Sequence, residues 1–223
     1  MTTMSAPAAE VKAPPPKDDG REKGSFQGWL VILLAVVFGG LLAAVELTLG
    51  PAIAANKRNE TLSRIPELIS VPAADSQKLD IQPLAIPVTR DGKTTTYRVY
   101  RADRDKHPAG WVIQATGQGY ADRIEILLGL SPDVASITGL FVLEQKETPG
   151  LGNKIAAIPW RSQFNGKPTG QALEVIKGGA TQASQIDAIT GATISSRSVA
   201  AIVNRVTADL RDRLAAEAGK EAS

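Results

Sequence analysis

The residues best placed to do chemistry lie in one stretch, Asp187-Ala188-Ile189-Thr190-Gly191-Ala192-Thr193-Ile194-Ser195-Ser196. Downstream, Val199, Ile202, Val203, Val206, Leu210 and Leu214 recur at three- and four-residue spacing, the mark of one apolar helical stripe. The spacing predicts a helix whose first turn holds Thr193, Ser195 and Ser196. Free backbone N–H groups and the positive end of the helix dipole favour a phosphate at such a place. Gly191 and Ala192 are small, so a bulky group has access to the backbone there. The same hydroxyls also read as an N-cap, since Ser and Thr oxygens accept orphan N–H groups at helix starts. Spacing alone leaves both readings open. Gly179-Ala180-Thr181 repeats the Gly-Ala-Thr string, but no Asp stands six residues before Thr181 and no apolar stripe follows it directly.

Composition removes whole classes of chemistry. Cysteine is absent, which excludes disulfides, thiolate zinc sites and Cys-ligated iron–sulfur clusters. The one histidine, His107, lies in the polar run Arg101–Pro108 and reads as a solvated turn residue. No residue is picked out as catalytic and none as a metal ligand. The formal net charge of +2 gives no electrostatic case for nucleic acid. An electron carrier needs no acid–base groups of its own, because a bound cofactor supplies the chemistry.

A second stretch is Glu144-Gln145-Lys146-Glu147-Thr148-Pro149-Gly150-Leu151-Gly152-Asn153-Lys154. Pro149-Gly150 and Gly152 predict a tight loop with exposed N–H groups. Trp160 and Phe164 follow at i and i+4, a spacing that more often serves packing than stacking on a ring. Lys177-Gly178-Gly179 reads as a further turn.

Taken together, Asp-x-x-Thr-Gly-Ala-Thr and Glu-Thr-Pro-Gly-Leu-Gly resemble the two signatures of the FMN-binding domain family. The resemblance covers roughly residues 110 to 204. It implies FMN joined covalently, through a phosphoester, to Thr193. It further implies that Asp187 belongs to the flavinylation motif, that Thr190, Gly191, Ala192 and Ser195 border the cofactor, and that Thr148, Pro149, Gly150, Leu151 and Gly152 line the isoalloxazine ring. A separate flavin transferase, using FAD and a divalent metal, is implied for maturation. With one N-terminal apolar span, the layout is similar to the G subunits of Rnf-type ion-translocating ferredoxin:NAD oxidoreductases. That implies other members of such a complex as partners and an electron-carrying role without independent catalysis. It also implies the cytoplasmic (inner) membrane of a bacterium, with the FMN domain on the periplasmic side. The C subunit of sodium-translocating NADH:quinone reductases shares both signatures, and a membrane-tethered FMN-domain regulatory protein and a cofactor-free anchored domain are further readings.

The elements that must position these residues follow from the pattern along the chain. Residues 1–28 are Ala/Pro-rich with mixed charges, which predicts a disordered tail. Residues 29–49 carry no charge before Glu46 and match the roughly 20 residues a transmembrane helix needs, placing the chain in a lipid bilayer. Ala52-Ile53-Ala54 has the look of a signal cleavage site, but the apolar run exceeds the usual 7–15 residues of a signal core. Lys12, Lys17, Arg21 and Lys23 before the span, against Lys57, Arg58 and Arg64 after it, lean slightly towards an inside N-terminus. Residues 50–90 read as a helical connector, helical over 52–69 and irregular over 78–87. An FMN-binding domain over 91–217 follows, with strands at 94–101, 110–116, 123–128 and 137–144. Ile124, Ile126 and Leu128 alternate with Arg123, Glu125 and Leu127, predicting a sheet packed on one face. The fold class is α+β with an antiparallel sheet. Asp187→Ala is expected to lower flavin occupancy more than it lowers folding, checked by flavin fluorescence of denatured bands against the thermal melt.

Overall fold

A computed structural model describes residues 21–72, 75, 78–90 and 92–220, with side chains from 28 to 218 within those bounds. The tail reading falls outside them up to residue 20, as does Asp91 of the turn expected at Arg90–Lys93, and over 21–28 it is corrected, because those residues are helical. The chain divides into two compact units, Met1–Asn56 and Lys57–Ser223.

The first unit contains most of helix α1, which runs over Arg21–Leu68. Its large apolar side chains, Leu30 to Leu49 among them, are exposed rather than packed on protein. Residues 29–49 rise about 32 Å as a helix, enough for a hydrocarbon layer of about 30 Å. Thr48 returns its hydroxyl to the Ala44 carbonyl at 2.8 Å, so this polar group is satisfied within the helix itself.

The second unit is built on a five-stranded antiparallel sheet in the order β1-β2-β3-β4-β5. The strands are β1 Leu79–Arg90, β2 Lys93–Arg104, β3 His107–Gln118, β4 Arg123–Leu130 and β5 Ile137–Glu144. Side chains alternate between two cores, as strand geometry requires. Val99, Ile113, Ile126 and Leu128 point to the face covered by helix α3, Thr193–Lys220, and meet its stripe Val199, Ile202, Val203, Val206, Leu210 and Leu214. Tyr100, Ala102, Val112 and Leu127 point to the opposite face and meet Ile65, Leu68 and Ile69 at the end of α1. The expected single packed face is therefore corrected: both faces of β4 are covered, and Leu127 is fully buried. The last turn of α1 is fastened to the sheet by Thr138, whose hydroxyl donates to the Leu68 carbonyl at 2.6 Å.

The connector expected over 50–90 is corrected over its second half. Residues 79–90 form the edge strand β1, paired with β2 along its whole length. Pro83 and Pro87 hid it. Proline donates no ladder hydrogen bond, so it is tolerated on an edge strand, where one row of N–H groups faces solvent. His107 opens β3 after a turn made by Asp105 and Lys106, both at positive φ, and it is exposed as expected. A second, parallel pair, β6 Glu174–Ile176 and β7 Gln185–Asp187, leads into the site.

Tyr97 on β2 joins the sheet to α3 by donating to Asp209 Oδ2 at 2.6 Å. Burial, and then the Asp209 carboxylate, push the phenol up to about 12 from its ordinary 10.0. A raised value in the folded state means that this contribution is complete below about pH 10 and is lost as pH climbs towards 12. The melting temperature of the full chain in detergent is expected to fall more steeply between pH 10 and 12 for the wild type than for Tyr97→Phe.

Candidate cofactor site

The site forms where the chain enters α3. Gly191 takes φ +82°, a left-handed conformation that lets the loop turn into the helix. The Ala192 N–H then donates to the Ile189 carbonyl at 2.9 Å, and the Ser196 N–H to the Ala192 carbonyl at 3.0 Å. The side chain that stitches loop to helix is Ser196. Its hydroxyl accepts the Ile189 N–H at 3.1 Å and donates to the Ala192 carbonyl at 3.0 Å. Thr193, the first residue of α3, is half-buried, and among the described residues its hydroxyl has no hydrogen-bond partner. Ser196 thus bonds the loop before the helix rather than a first-turn N–H of α3, and among the described residues Thr193 Oγ1 is left free.

The second signature faces this helix start. Gly150 turns the loop at φ +76°, and the Leu151 and Asn153 N–H groups both donate to the Thr148 carbonyl, at 3.2 and 3.3 Å. Between loop and helix lies a cleft of about 500 Å³. It brings together seven of the expected residues: Thr148, Leu151 and Gly152 from the loop, and Gly191, Ala192, Thr193 and Ser195 from the helix start. Two unexpected residues, Tyr120 and Ile194, complete the lining; both are exposed apolar side chains. A second cavity of about 350 Å³ shares Gly191 and Thr193 and adds Thr190 and Lys177. Pro149 and Gly150 are exposed on the loop but line neither cavity, and the decoy Thr181 lines neither.

Asp187 ends β7 and also lines neither cavity. Its carboxylate accepts the Ala180 N–H at 2.9 Å, which closes the turn after Lys177-Gly178-Gly179. Its carbonyl accepts Trp160 Nε1–H at 2.8 Å, and its N–H donates to Gln163 Oε1 at 2.8 Å. Trp160 and Phe164 pack edge to face, with centroids 5.3 Å apart, as their spacing predicted. Two contributors escaped the sequence reading. Tyr120 sits in a turn and carries no pattern. Glu147, inside the second signature, is buried in a loop of exposed neighbours, and burial is not legible from loop composition.

The residues present fit FMN. The cleft has the volume of a cofactor site, its walls are apolar at Tyr120, Leu151 and Ile194, and the polar group at its edge is a free hydroxyl on a helix start. A side chain on Gly191 would fill this space, since its Cβ would stand 3.0 Å from Leu151 Cδ2.

Comparison with known proteins agrees. The family model described as an FMN-binding domain matches residues 119–208. The G subunit of the Na(+)-translocating ferredoxin:NAD(+) oxidoreductase complex of Acetobacterium woodii is 35% identical over 150 residues, covering 66% of this chain and 69% of that one. The G subunit of the ion-translocating oxidoreductase complex of Pseudoalteromonas atlantica is 32% identical over 179 residues, covering 79% and 83%. Its counterpart in Cereibacter sphaeroides strain ATCC 17029 is 32% identical over 207 residues, covering 88% and 90%. Among solved structures, NqrC of Shewanella oneidensis superposes with a TM-score of 0.62 at 21% identity, over 73% of this chain and 99% of that one, a likeness of fold. Residues 119–208, which contain the cleft, are an FMN-binding domain. The chain belongs to the family of G subunits of ion-translocating oxidoreductase complexes.

Gly191→Val is expected to cost about 1–3 kcal/mol of stability through its left-handed φ and to reduce flavin loading by crowding Leu151. Gly150→Ala carries similar backbone strain in open space and should load flavin normally. Paired chemical-denaturation curves and flavin-to-protein ratios check both.

Proposed function

We propose that this chain is the membrane-anchored electron-carrying member of an Rnf-type ion-translocating oxidoreductase complex, with FMN held covalently at Thr193. The observation that carries the reading is the free Thr193 hydroxyl at the first residue of α3, on the lip of a cleft shared with the Thr148–Gly152 loop. When bound, FMN supplies reversible electron acceptance. The protein's own residues do the rest.

Thr193 Oγ1 forms the bond to phosphorus when a flavin transferase presents FAD. The pyrophosphate bond breaks, AMP leaves, and the hydroxyl proton is lost to the transferase or solvent. The amide groups of the first turn of α3 offer donors to the resulting phosphodiester, with the helix dipole in favour. Gly191 and Ala192 leave room for the ribityl chain, and Thr190 and Ser195 border it. Leu151 and Tyr120 present apolar surface to the ring, with Thr148 and Gly152 beside them. The Thr148–Gly152 loop and the helix start are the residues that would hold the flavin between them, and a tether would prevent its loss by dissociation. Both favour repeated electron transfer with fixed neighbours.

In this reading helix α1 is the anchor in the inner membrane with the FMN domain on the periplasmic side, supported by a slight excess of basic residues before the span, four against Lys57, Arg58 and Arg64 after it. The partners are the other proteins of the complex, and catalysis as a translocase belongs to the whole assembly. The names of the relatives favour this reading over a regulatory module.

The test is Thr193→Val in cells that make the flavin transferase. The variant is expected to fold with a near-wild-type melt and to carry no flavin after denaturation, while mass spectrometry of the wild-type peptide shows the FMN adduct. Flavin that survives denaturation on the Val variant, or an unmodified wild-type peptide, overturns the assignment.

A further inference from the structure

A buried carboxylate stands one layer behind the cleft wall. Glu147 is 4% exposed, and both of its oxygens accept hydrogen bonds. Oε1 takes the Ala121 N–H at 3.1 Å, and Oε2 takes the Ser195 hydroxyl, itself 3% exposed. Three segments distant in sequence therefore meet at one side chain: the turn between β3 and β4, the loop leaving β5, and the first turn of α3. The space it occupies depends on small neighbours. A Cβ on Gly119 would run into Oε1, and a Cβ on Gly152 would stand 2.8 Å from Glu147 Cβ and 2.9 Å from Ser195 Oγ. Gly152 and Ser195 are themselves part of the cleft lining.

None of the ion pairs among the described residues includes Glu147. Its two oxygens serve as acceptors at a buried point, and any negative charge there would act in a medium that screens little. Burying such a charge costs stability, and an apolar filler would serve packing at least as well. The cost has a return if the charge acts on what sits in the cleft.

We propose that Glu147 is a positioning residue of the cofactor site that also sets its electrostatics. It clamps the Thr148–Gly152 loop to the first turn of α3, and it opposes the arrival of an electron in the slot, holding the flavin's reduction potential down. This rests on FMN occupying the cleft as proposed above.

The experiment uses the full chain made with the flavin transferase and solubilised from membranes, as wild type, Glu147→Gln and Ser195→Ala. Denaturation-resistant flavin, the melting temperature and the midpoint potential are measured, the last by mediated titration with dithionite. Glu147→Gln keeps shape and removes charge, so its potential is expected to rise by on the order of tenfold in the one-electron equilibrium, about 59 mV. Ser195→Ala keeps the charge and removes the hydroxyl that partly neutralises it, so its potential is expected to fall. Simple loosening of the clamp would move both variants the same way, and shifts of one sign, or no shift in loaded Glu147→Gln, overturn the proposal. If Glu147→Gln does not load, Ser195→Ala decides: an unchanged or raised potential overturns it. A wild type without covalent flavin would instead sink the cofactor reading on which this one stands, so the two failures are told apart.

Discussion

The cleft exists because two parts of the chain, 48 residues apart, are locked together at a buried point. Ser195 on the first turn of α3 and Glu147 at the exit of β5 meet where water is excluded. Around that point the rest is apolar packing. The stripe of α3 lies on one face of the sheet and fixes the helix axis, so the tip of the helix has few places to go. Polar contacts then choose among them, because a buried donor or acceptor left unpaired costs more than a made bond returns. The order of effects is clear: area decides that α3 docks, and directionality decides where Thr193 points its free oxygen.

The parts of the fold that were legible in the sequence share one property, a strong period. The six apolar residues of α3 and strands β2 to β5 read correctly because packing on a core repeats every 3.6 or every 2 residues. β1 was illegible because its pattern is mostly exposed and broken by Pro83 and Pro87. β6 and β7 have three residues each, too few for any period to show. The coverage of β4 on both faces was hidden as well, since the helix that covers its far side lies before the sheet in the chain and carries no mark of its partner.

The candidate site was legible to the extent that chemistry resides in short strings. Thr193 and the loop from Thr148 to Gly152 were found by their neighbours in sequence, and the structure brings them to one cleft. Tyr120 and Glu147 were not: Tyr120 joins the cleft lining from a distant turn, and Glu147 acts through hydrogen bonds made across the fold. Asp187 shows the intermediate case. Its place in the motif was plain, but its hydrogen bonds go to Ala180, Trp160 and Gln163, so much of what it does is to hold the turn beside the site.

The edge strand has one more consequence. A sheet ends somewhere, and its last strand offers a row of unpaired amides to any neighbour that brings a strand of its own. In β1 the residues at 83 and 87 have no amide hydrogen to offer, and most of the strand's side chains stand in solvent. A second copy arriving edge-on finds the ladder interrupted at two rungs. Two missing donors make this edge a poorer template for a foreign strand than an unbroken row of amides.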